Sequence, residues 1–312
     1  MSIAKSLINW YRANKRNLPW RNTNDPYLIW LSEIILQQTR VDQGMPYYYR
    51  FAETFPDVKA FAAASEDDIL RLWQGLGYYS RGRNMLKTAV KVMESHDGVF
   101  PNSFKDLIEL VGIGEYTASA ISSFSANEAR AVVDGNVYRF LARYFGVHTP
   151  INSSQGKKEF QDIANSILDR TNPGEHNQAM IEFGALQCKP KNPLCSTCPL
   201  NMTCIAFQQN EIGNLPVKLK KLKVKERFFY YFVLRKQGQI LIKRRGNEDI
   251  WAGLHDFPLI EKDQPLTEAQ LLAQIDVSFW IGNHPVRKIH APVKHILTHQ
   301  KIYATFIEID GL

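Results

Sequence analysis

The sequence predicts a mostly α protein, a large helical domain followed by a small α+β domain. Three observations predict it. Apolar residues recur at helical spacing from Ile3 to Gln187, with almost no strand-like alternation. Near Gly213 the composition turns basic, and Leu215-Pro216-Val217-Lys218-Leu219-Lys220-Lys221-Leu222-Lys223-Val224-Lys225 reads as a solvated linker. Beyond it, Phe228 to Arg235 and Ile240 to Arg245 flank Lys236-Gln237-Gly238-Gln239 in the pattern of a β-hairpin. The predicted domains are 1–213 and 227–312, joined by 214–226.

A chain of 312 residues is long enough for two cores, and its hydrophobic and charged fractions of 45% and 22% are those of an ordinary globular protein. The net charge of +7 suggests a polyanionic partner without identifying one. No apolar run reaches membrane-spanning length, and Met1-Ser2-Ile3-Ala4-Lys5 leads into a helix rather than a signal peptide. A monomeric cytoplasmic protein is expected.

In order along the chain, Ile3, Leu7, Ile8, Trp10 and Tyr11 mark a first helix, which Arg16-Asn17-Leu18-Pro19-Trp20-Arg21 breaks. Asp25-Pro26 is a cap and first-turn pair, so a helix is expected from Pro26 to about Gln43. Leu28, Ile29, Leu31, Ile34, Ile35 and Leu36 wrap most of its cylinder, which implies burial, and Glu33 lies in the middle. Further helices are expected over Tyr47 to Phe55, Val58 to Ala64, Glu66 to Trp73 and Arg81 to Ser95. The loop Gly75-Leu76-Gly77-Tyr78-Tyr79-Ser80 carries aromatics beside glycines, which core packing does not explain. Lys157 to Asp169 and His176 to Gln187 complete the helical half. In the second domain a helix over Thr267 to Ile275 and strands around Arg287 to His290 and Lys301 to Ile309 are expected.

The centre of the chain is Leu110 to Asp134. An apolar segment from Ser103 to Val111 precedes Gly112-Ile113-Gly114, which opens another helix. Glycine permits close backbone approach, and the first amides of a helix are unpaired donors suited to a phosphate. On the glycines alone an ordinary helix–helix turn accounts for the segment. Asp134 stands where an N-cap belongs, before a helix over Val137 to Tyr144.

Cys188, Cys195, Cys198 and Cys204 are the only cysteines, spaced C-x6-C-x2-C-x5-C. Four thiols in one segment point to a metal rather than to disulfides. Thiol chemistry alone leaves zinc and an iron–sulfur cluster both open.

This cysteine spacing, with the glycine hairpin and Asp134 upstream, resembles the helix-hairpin-helix DNA glycosylases of the endonuclease III superfamily, and within them the MutY-type adenine glycosylases. Leu18-Pro19-Trp20-Arg21, Trp30-Leu31-Ser32-Glu33-Ile34-Ile35-Leu36-Gln37-Gln38-Thr39, Gly75 to Tyr79, Val133 to Val137 and Asn177 to Glu182 carry the likeness. It is strong over the first two-thirds of the chain and weaker beyond. It implies a [4Fe–4S] cluster on the four cysteines and double-stranded DNA as partner. The lesion it implies is adenine mispaired with 8-oxoguanine or guanine, flipped out of the stack for excision.

The resemblance also assigns roles. Lyase-competent relatives carry a lysine where this chain has Tyr116, and a phenol cannot form the Schiff base, so a monofunctional enzyme is expected. Glu33, with its pKa raised by burial, would protonate the leaving adenine and then handle the attacking water. Asp134 would stay ionised and stabilise the cationic sugar, with Tyr116 and Asn136 orienting both. Arg16, Trp20 and Glu182 would line the adenine pocket, Glu182 receiving the exocyclic amine. Gln38 and Tyr78, with Leu76 beside them, would fill the vacated stack. Gly112 and Gly114 would bind phosphate together with a monovalent cation.

The last domain resembles the Nudix-like domain of that family through Trp251-Ala252-Gly253-Leu254 and Asp256-Phe257-Pro258, without the acidic magnesium-binding helix of active Nudix hydrolases. Leu297-Thr298-His299 aligns with the 8-oxoguanine recognition loop, so Thr298 and His299 are the expected readers. The sequence ends at Leu312, where the family continues with a further strand and helix, so a truncated or short domain is expected. A sliding-clamp or mismatch-repair partner follows by analogy only. Rival readings are a bifunctional endonuclease III-like lyase, a non-catalytic iron–sulfur damage binder and a zinc-stabilised DNA-binding protein.

Overall fold

The computed structural model describes residues 2–219, 224–246, 250–274, 284–297 and 299–310. It divides into two compact units, Met1–Leu219 and Lys220–Leu312.

In the first unit, α1 (Ile3–Asn14) is followed by a 3-10 turn at Pro19–Arg21 and by α2 (Pro26–Ile35). Asp25 caps α2 by accepting from the Tyr27 amide at 2.8 Å, and Pro26 takes the first-turn position. Seven of its ten residues are buried, Trp30, Leu31 and Ile35 completely. Each large apolar side chain so buried contributes roughly 1.5–3 kcal/mol, so packing rather than propensity fixes this helix.

α2 stops at Ile35, not near Gln43, and α3 (Val41–Thr54) begins six residues before the expected Tyr47. Between them Gln38 is left-handed, with φ of 57°. The reason is tertiary. The guanidinium of Arg81 takes the carbonyls of Ile34, Ile35 and Gln37, which a continuing helix would give to its own amides.

α4 (Val58–Ala62), α5 (Glu66–Trp73) and α6 (Ser80–Ser95) follow, then α7 (Phe104–Leu107), a single turn where a helix over Ser103 to Val111 was expected. After the glycine hairpin come α8 (Glu115–Ala126), α9 (Gly135–Phe145), α10 (Ser154–Ile167), α11 (Pro173–Leu186) and the short α12 (Ile205–Gln208). One core gathers α2 to α8 around Trp30, Phe51, Phe61 and Trp73; a second gathers α1 and α9 to α12 around Phe140, Phe160 and Phe183. α8 packs on both α2 and α11, which brings Glu33 of α2 and the start of α9 to one place.

The expected linker is shorter than read. Leu215 is only 2% exposed within the second core. Its carbonyl accepts from Arg143 Nε at 3.0 Å, and the Val217 carbonyl accepts from the Ile151 amide at 3.0 Å. Residues 215–219 therefore lie on the helical unit.

The second unit is a mixed sheet built on β1 (Lys225–Lys236), whose residues from Arg227 to Leu234 are buried or nearly so on both faces. The remaining elements are β2 (Gln239–Ile240), β3 (Lys243–Arg244), β4 (His255–Asp256), β5 (Leu259–Lys262), α13 (Glu268–Leu272), β6 (Val286–Ile289), β7 (Val293–Ile296) and β8 (Gln300–Asp310). β1 runs parallel to β8 and antiparallel to β2 and β5; β6 and β7 run antiparallel to β8. The expected hairpin exists, but only Arg235–Ile240 and Lys236–Gln239 pair across it. Gln237 and Gly238, both left-handed at φ of 48° and 78°, make its turn. The expected strand over Ile240 to Arg245 splits, because Lys243 and Arg244 pair with β4 instead. α13 opens with a capping box between Thr267 and Gln270.

Candidate active site

One cavity of about 330 Å³ is lined by Arg16, Trp20, Glu33, Gln38, Tyr116, Asp134 and Asn136, with Arg21, Gln37, Thr39 and Gln178. Seven of the residues singled out in the sequence therefore meet at one place, drawn from α2, α8, α9 and the loops after α1 and α2. No lysine lines it.

Glu33 sits on the buried helix between Ser32 and Ile34, and its carboxyl reaches the cavity. Burial is the main cause that raises its pKa to about 7, and the charge of Asp134 adds to it. A hydrogen bond from the Tyr116 hydroxyl and the charge of Arg21 act the other way. Tyr116 is enclosed with it, and burial holds its phenol well above the usual range.

Asp134 is the N-cap of α9. Its Oδ1 accepts from the Asn136 and Val137 amides at 2.9 and 2.8 Å, and its Oδ2 accepts from the Asn136 side chain at 2.7 Å. Asn136 is oriented in turn by Arg139, whose Nη2 donates to Asn136 Oδ1 at 2.9 Å. Amide donors were expected to hold Asp134 low, but burial outweighs them and its pKa lies above the ordinary value. All three of these partners donate, so the ionised form is the one this cradle fits. Between the two carboxyls, the proton belongs on Glu33.

Glu182 does not face the cavity. Its side chain has no exposure. Oε1 accepts from the Arg16 amide, Arg16 Nε and Arg21 Nη1, each at 2.9 Å; Oε2 accepts from Arg16 Nη2 at 2.6 Å and Arg21 Nη2 at 2.8 Å. These hydrogen bonds override burial and hold its pKa down at about 2. With five N–H donors already placed, Glu182 anchors the arginines rather than awaiting an amine. Arg16 and Trp20 do form the wall, Trp20 edge-on to Tyr48 with ring centroids 5.1 Å apart.

Gln38, which lines the cavity, and Tyr78 are exposed, and both are left-handed, at φ of 57° and 48°. Leu76 is not beside them as a wedge. It is 7% exposed and belongs to the first core. Gly112 and Gly114 lie outside the cavity, on the surface. Gly112 needs to be glycine, since its φ is +77° and an added Cβ would stand 2.9 Å from Asn84 Cβ. Ile113 and Leu110 bury beneath the turn, and the Thr88 hydroxyl holds the Val111 carbonyl at 2.5 Å. The Ile113 amide donates to the Leu110 carbonyl at 3.2 Å, which leaves the exposed Gly112 and Gly114 at the surface where α8 begins.

Cys188, Cys195, Cys198 and Cys204 line one apolar pocket with Phe140, Arg143, Phe183 and Leu200. Among the described residues no three His, Cys, Asp or Glu side chains converge on a point that one ion could occupy. Burial pushes the Cys198 thiol up to about 11, so thiolates here require a compensating positive charge. Arg143 fixes the loop by donating to the Lys189 carbonyl at 2.7 Å and contacting Cys188 Sγ at 3.5 Å. Arg139 donates to the Cys188 and Gly184 carbonyls at 2.8 and 2.6 Å, linking this loop to Asn136.

In the second unit His299 is exposed in the turn between β7 and β8, closed by the Leu297 amide on the Gln300 carbonyl at 2.8 Å. Thr298 lies outside the described residues. Arg81 and Arg139 escaped the sequence reading, and Arg21 entered it only within the Leu18-to-Arg21 motif, because most of their partners are carbonyls or acids far along the chain.

An acid raised toward neutrality facing a capped aspartate, in one helical unit with a glycine hairpin and a four-cysteine loop, fits the helix-hairpin-helix class of base excision glycosylases, and the relatives show it. Residues 31–166 match the HhH-GPD superfamily of base excision DNA repair proteins, and residues 230–312 match the NUDIX domain. The adenine DNA glycosylase of Buchnera aphidicola subsp. Baizongia pistaciae is 36% identical over 305 residues, covering 96% of this chain and 83% of the relative. That of Mus musculus is 31% identical, covering 96% of this chain and 69% of the relative. This chain belongs to the adenine DNA glycosylase family. Solved structures share the helical fold. A thermostable thymine-DNA glycosylase superposes with a TM-score of 0.61 at 24% identity, covering 66% of this chain and 95% of its own. Endonuclease III in a non-covalent DNA complex gives 0.58 at 19%, covering 66% and 94%.

Proposed function

We propose that this adenine DNA glycosylase excises adenine paired with 8-oxoguanine, and more slowly adenine paired with guanine, and leaves the abasic strand intact. The observation that carries the reading is Glu33, near neutral pKa and facing Asp134 across a cavity that no lysine lines among the described residues. The protonated Glu33 carboxyl gives its proton to an imidazole-ring nitrogen of the flipped adenine. The bond from C1′ to the base then breaks, its electron pair leaving with the neutral base. The Asp134 carboxylate stabilises the sugar cation. Water adds to C1′, and the Glu33 carboxylate takes its proton, which restores the acid. Tyr116 and Asn136 orient the two carboxyls, and with no amine at position 116 no Schiff base forms there.

Arg16 and Trp20 wall the adenine, with Glu182 holding Arg16 from behind. Gln38 and Tyr78 enter the stack that the base leaves. The amides of Gly112 and Gly114, with a monovalent cation, hold a backbone phosphate. The Nudix-like unit reads the oxidised guanine through Thr298 and His299. Four thiols around one apolar pocket are the donor set of a [4Fe–4S] cluster. When bound, it supplies the metal–thiolate bonds that hold residues 188–204 in place.

The test compares single-turnover excision of adenine opposite 8-oxoguanine, guanine and thymine. The fastest rate opposite 8-oxoguanine is expected. Equal rates against all three would remove the assigned lesion.

A further inference from the structure

Arg81 occupies a place that the reaction does not explain. Its Nη1 donates to the carbonyls of Ile34, Ile35 and Gln37 at 2.9, 3.2 and 2.5 Å, at the C-terminal end of the helix that carries Glu33. Its Nη2 reaches the carbonyls of Leu76 and Gly77 at 3.4 and 3.3 Å. The guanidinium stacks over Trp73 at 4.9 Å and lies 5.7 Å from the Tyr78 ring centroid. Trp73 shares the Gly77 carbonyl, donating from Nε1 at 2.9 Å.

Two of these acceptors matter most. The Gln37 carbonyl belongs to the peptide plane that enters Gln38, and the Gly77 carbonyl to the plane that enters Tyr78. Gln38 and Tyr78 are both exposed, and both hold a positive φ that side chains other than glycine rarely adopt. Such conformations persist only when their surroundings over-determine them. Here one planar, five-donor cation fixes the plane before each.

We infer that Arg81 is a positioning residue that locks the Gln38 and Tyr78 turns together and to the end of the Glu33 helix, so that filling the stack and seating the adenine at the acid occur as one event. The inference rests on the reading of Gln38 and Tyr78 as the stack-filling residues. A lysine cannot replace Arg81, because one ammonium on a flexible stem cannot span both sets of carbonyls. Removing the clamp frees the two turns to move independently. A misplacement of about 1 Å at the reacting centre costs about a hundredfold in rate.

The test uses the full chain with R81K and R81A, on a duplex carrying the fluorescent adenine analogue 2-aminopurine opposite 8-oxoguanine. Single-turnover adenine excision is measured beside the fluorescence rise that reports the unstacked base. R81K is expected to lose about a hundredfold in excision and to lose the fluorescence rise in parallel. Because Arg81 also holds the end of α2, the melting temperature should fall, but well below it the affinity for undamaged duplex should stay near parental, which loss of the fold would not leave. R81K excising at the parental rate, or losing excision with the fluorescence rise intact, would overturn the inference. Q38A and Y78A separate it from the reading it rests on. If neither variant alters the fluorescence rise, the stack-filling assignment fails; if both do while R81K does not, the clamp fails.

Discussion

The Tyr116 hydroxyl donates to the Glu33 carboxyl, and that bond opposes the burial which raises Glu33 to about 7. The phenol stays protonated, because the same burial holds its own pKa well above the usual range. Tyr116 therefore sets where the acid titrates without giving up a proton itself. Removing the hydroxyl removes a bond to the charged form, which raises the Glu33 pKa further. The alkaline limb of the pH–rate profile, near 7 in the parent, should move upward in Y116F. A limb that stays in place, or moves down, contradicts the relationship.

E33Q should bind duplex normally and lose about 10²–10⁴-fold in single-turnover excision, the span that a positioned general acid contributes. It should also change stability in a pH-dependent way. A folded pKa above the unfolded one means the native state holds more protons through the window from 4.5 to about 7, so the parent loses stability as pH rises through it. E33Q removes that loss, and near pH 8 it should be more stable by on the order of 1–3 kcal/mol, with water in the open cavity reducing the full shift. Denaturation of both proteins at pH 5 and pH 8 checks the sign.

E182A leaves Arg16 and Arg21 without their shared acid, and Arg21 is 8% exposed. Breaking one side of such a buried cluster costs about 3–5 kcal/mol. The expected result is a large drop in denaturation midpoint together with weaker excision as the Arg16 wall loosens. Loss of activity with unchanged stability would instead mean that Glu182 turns to meet the adenine.

Anaerobically purified protein should be brown and contain about four irons per chain. C198S should lose the colour and make residues 188–204 sensitive to protease. A colourless parent containing one zinc would replace the cluster with a mononuclear site.

The residues that meet in the cavity were picked out by the family resemblance, and local signals stood beside it. Glu33 stands on a run of apolar residues, Asp134 is a cap three residues before a helical Val137, and the glycine hairpin lies within one turn. What was not legible is held by distant partners. The end of α2 at Ile35 is set by Arg81, some 46 residues on, while the apolar pattern continues through Leu36 without a glycine or proline to stop it. Glu182 looked like an adenine ligand because its arginines are 161 and 166 residues away. Leu215-Pro216-Val217 looked like a tether because its lysine-rich continuation hid one leucine that enters the core.

The most direct measurement is single-turnover treatment of a labelled duplex with one adenine opposite 8-oxoguanine, divided between work-up with and without hot alkali. Strand breaks that appear only after alkali are the predicted result, since Glu33 and Asp134 release the base and Tyr116 leaves the sugar uncut. Breaks without alkali would contradict hydrolysis without a Schiff base, and no product from a protein that still binds the duplex would contradict the acid assigned to Glu33.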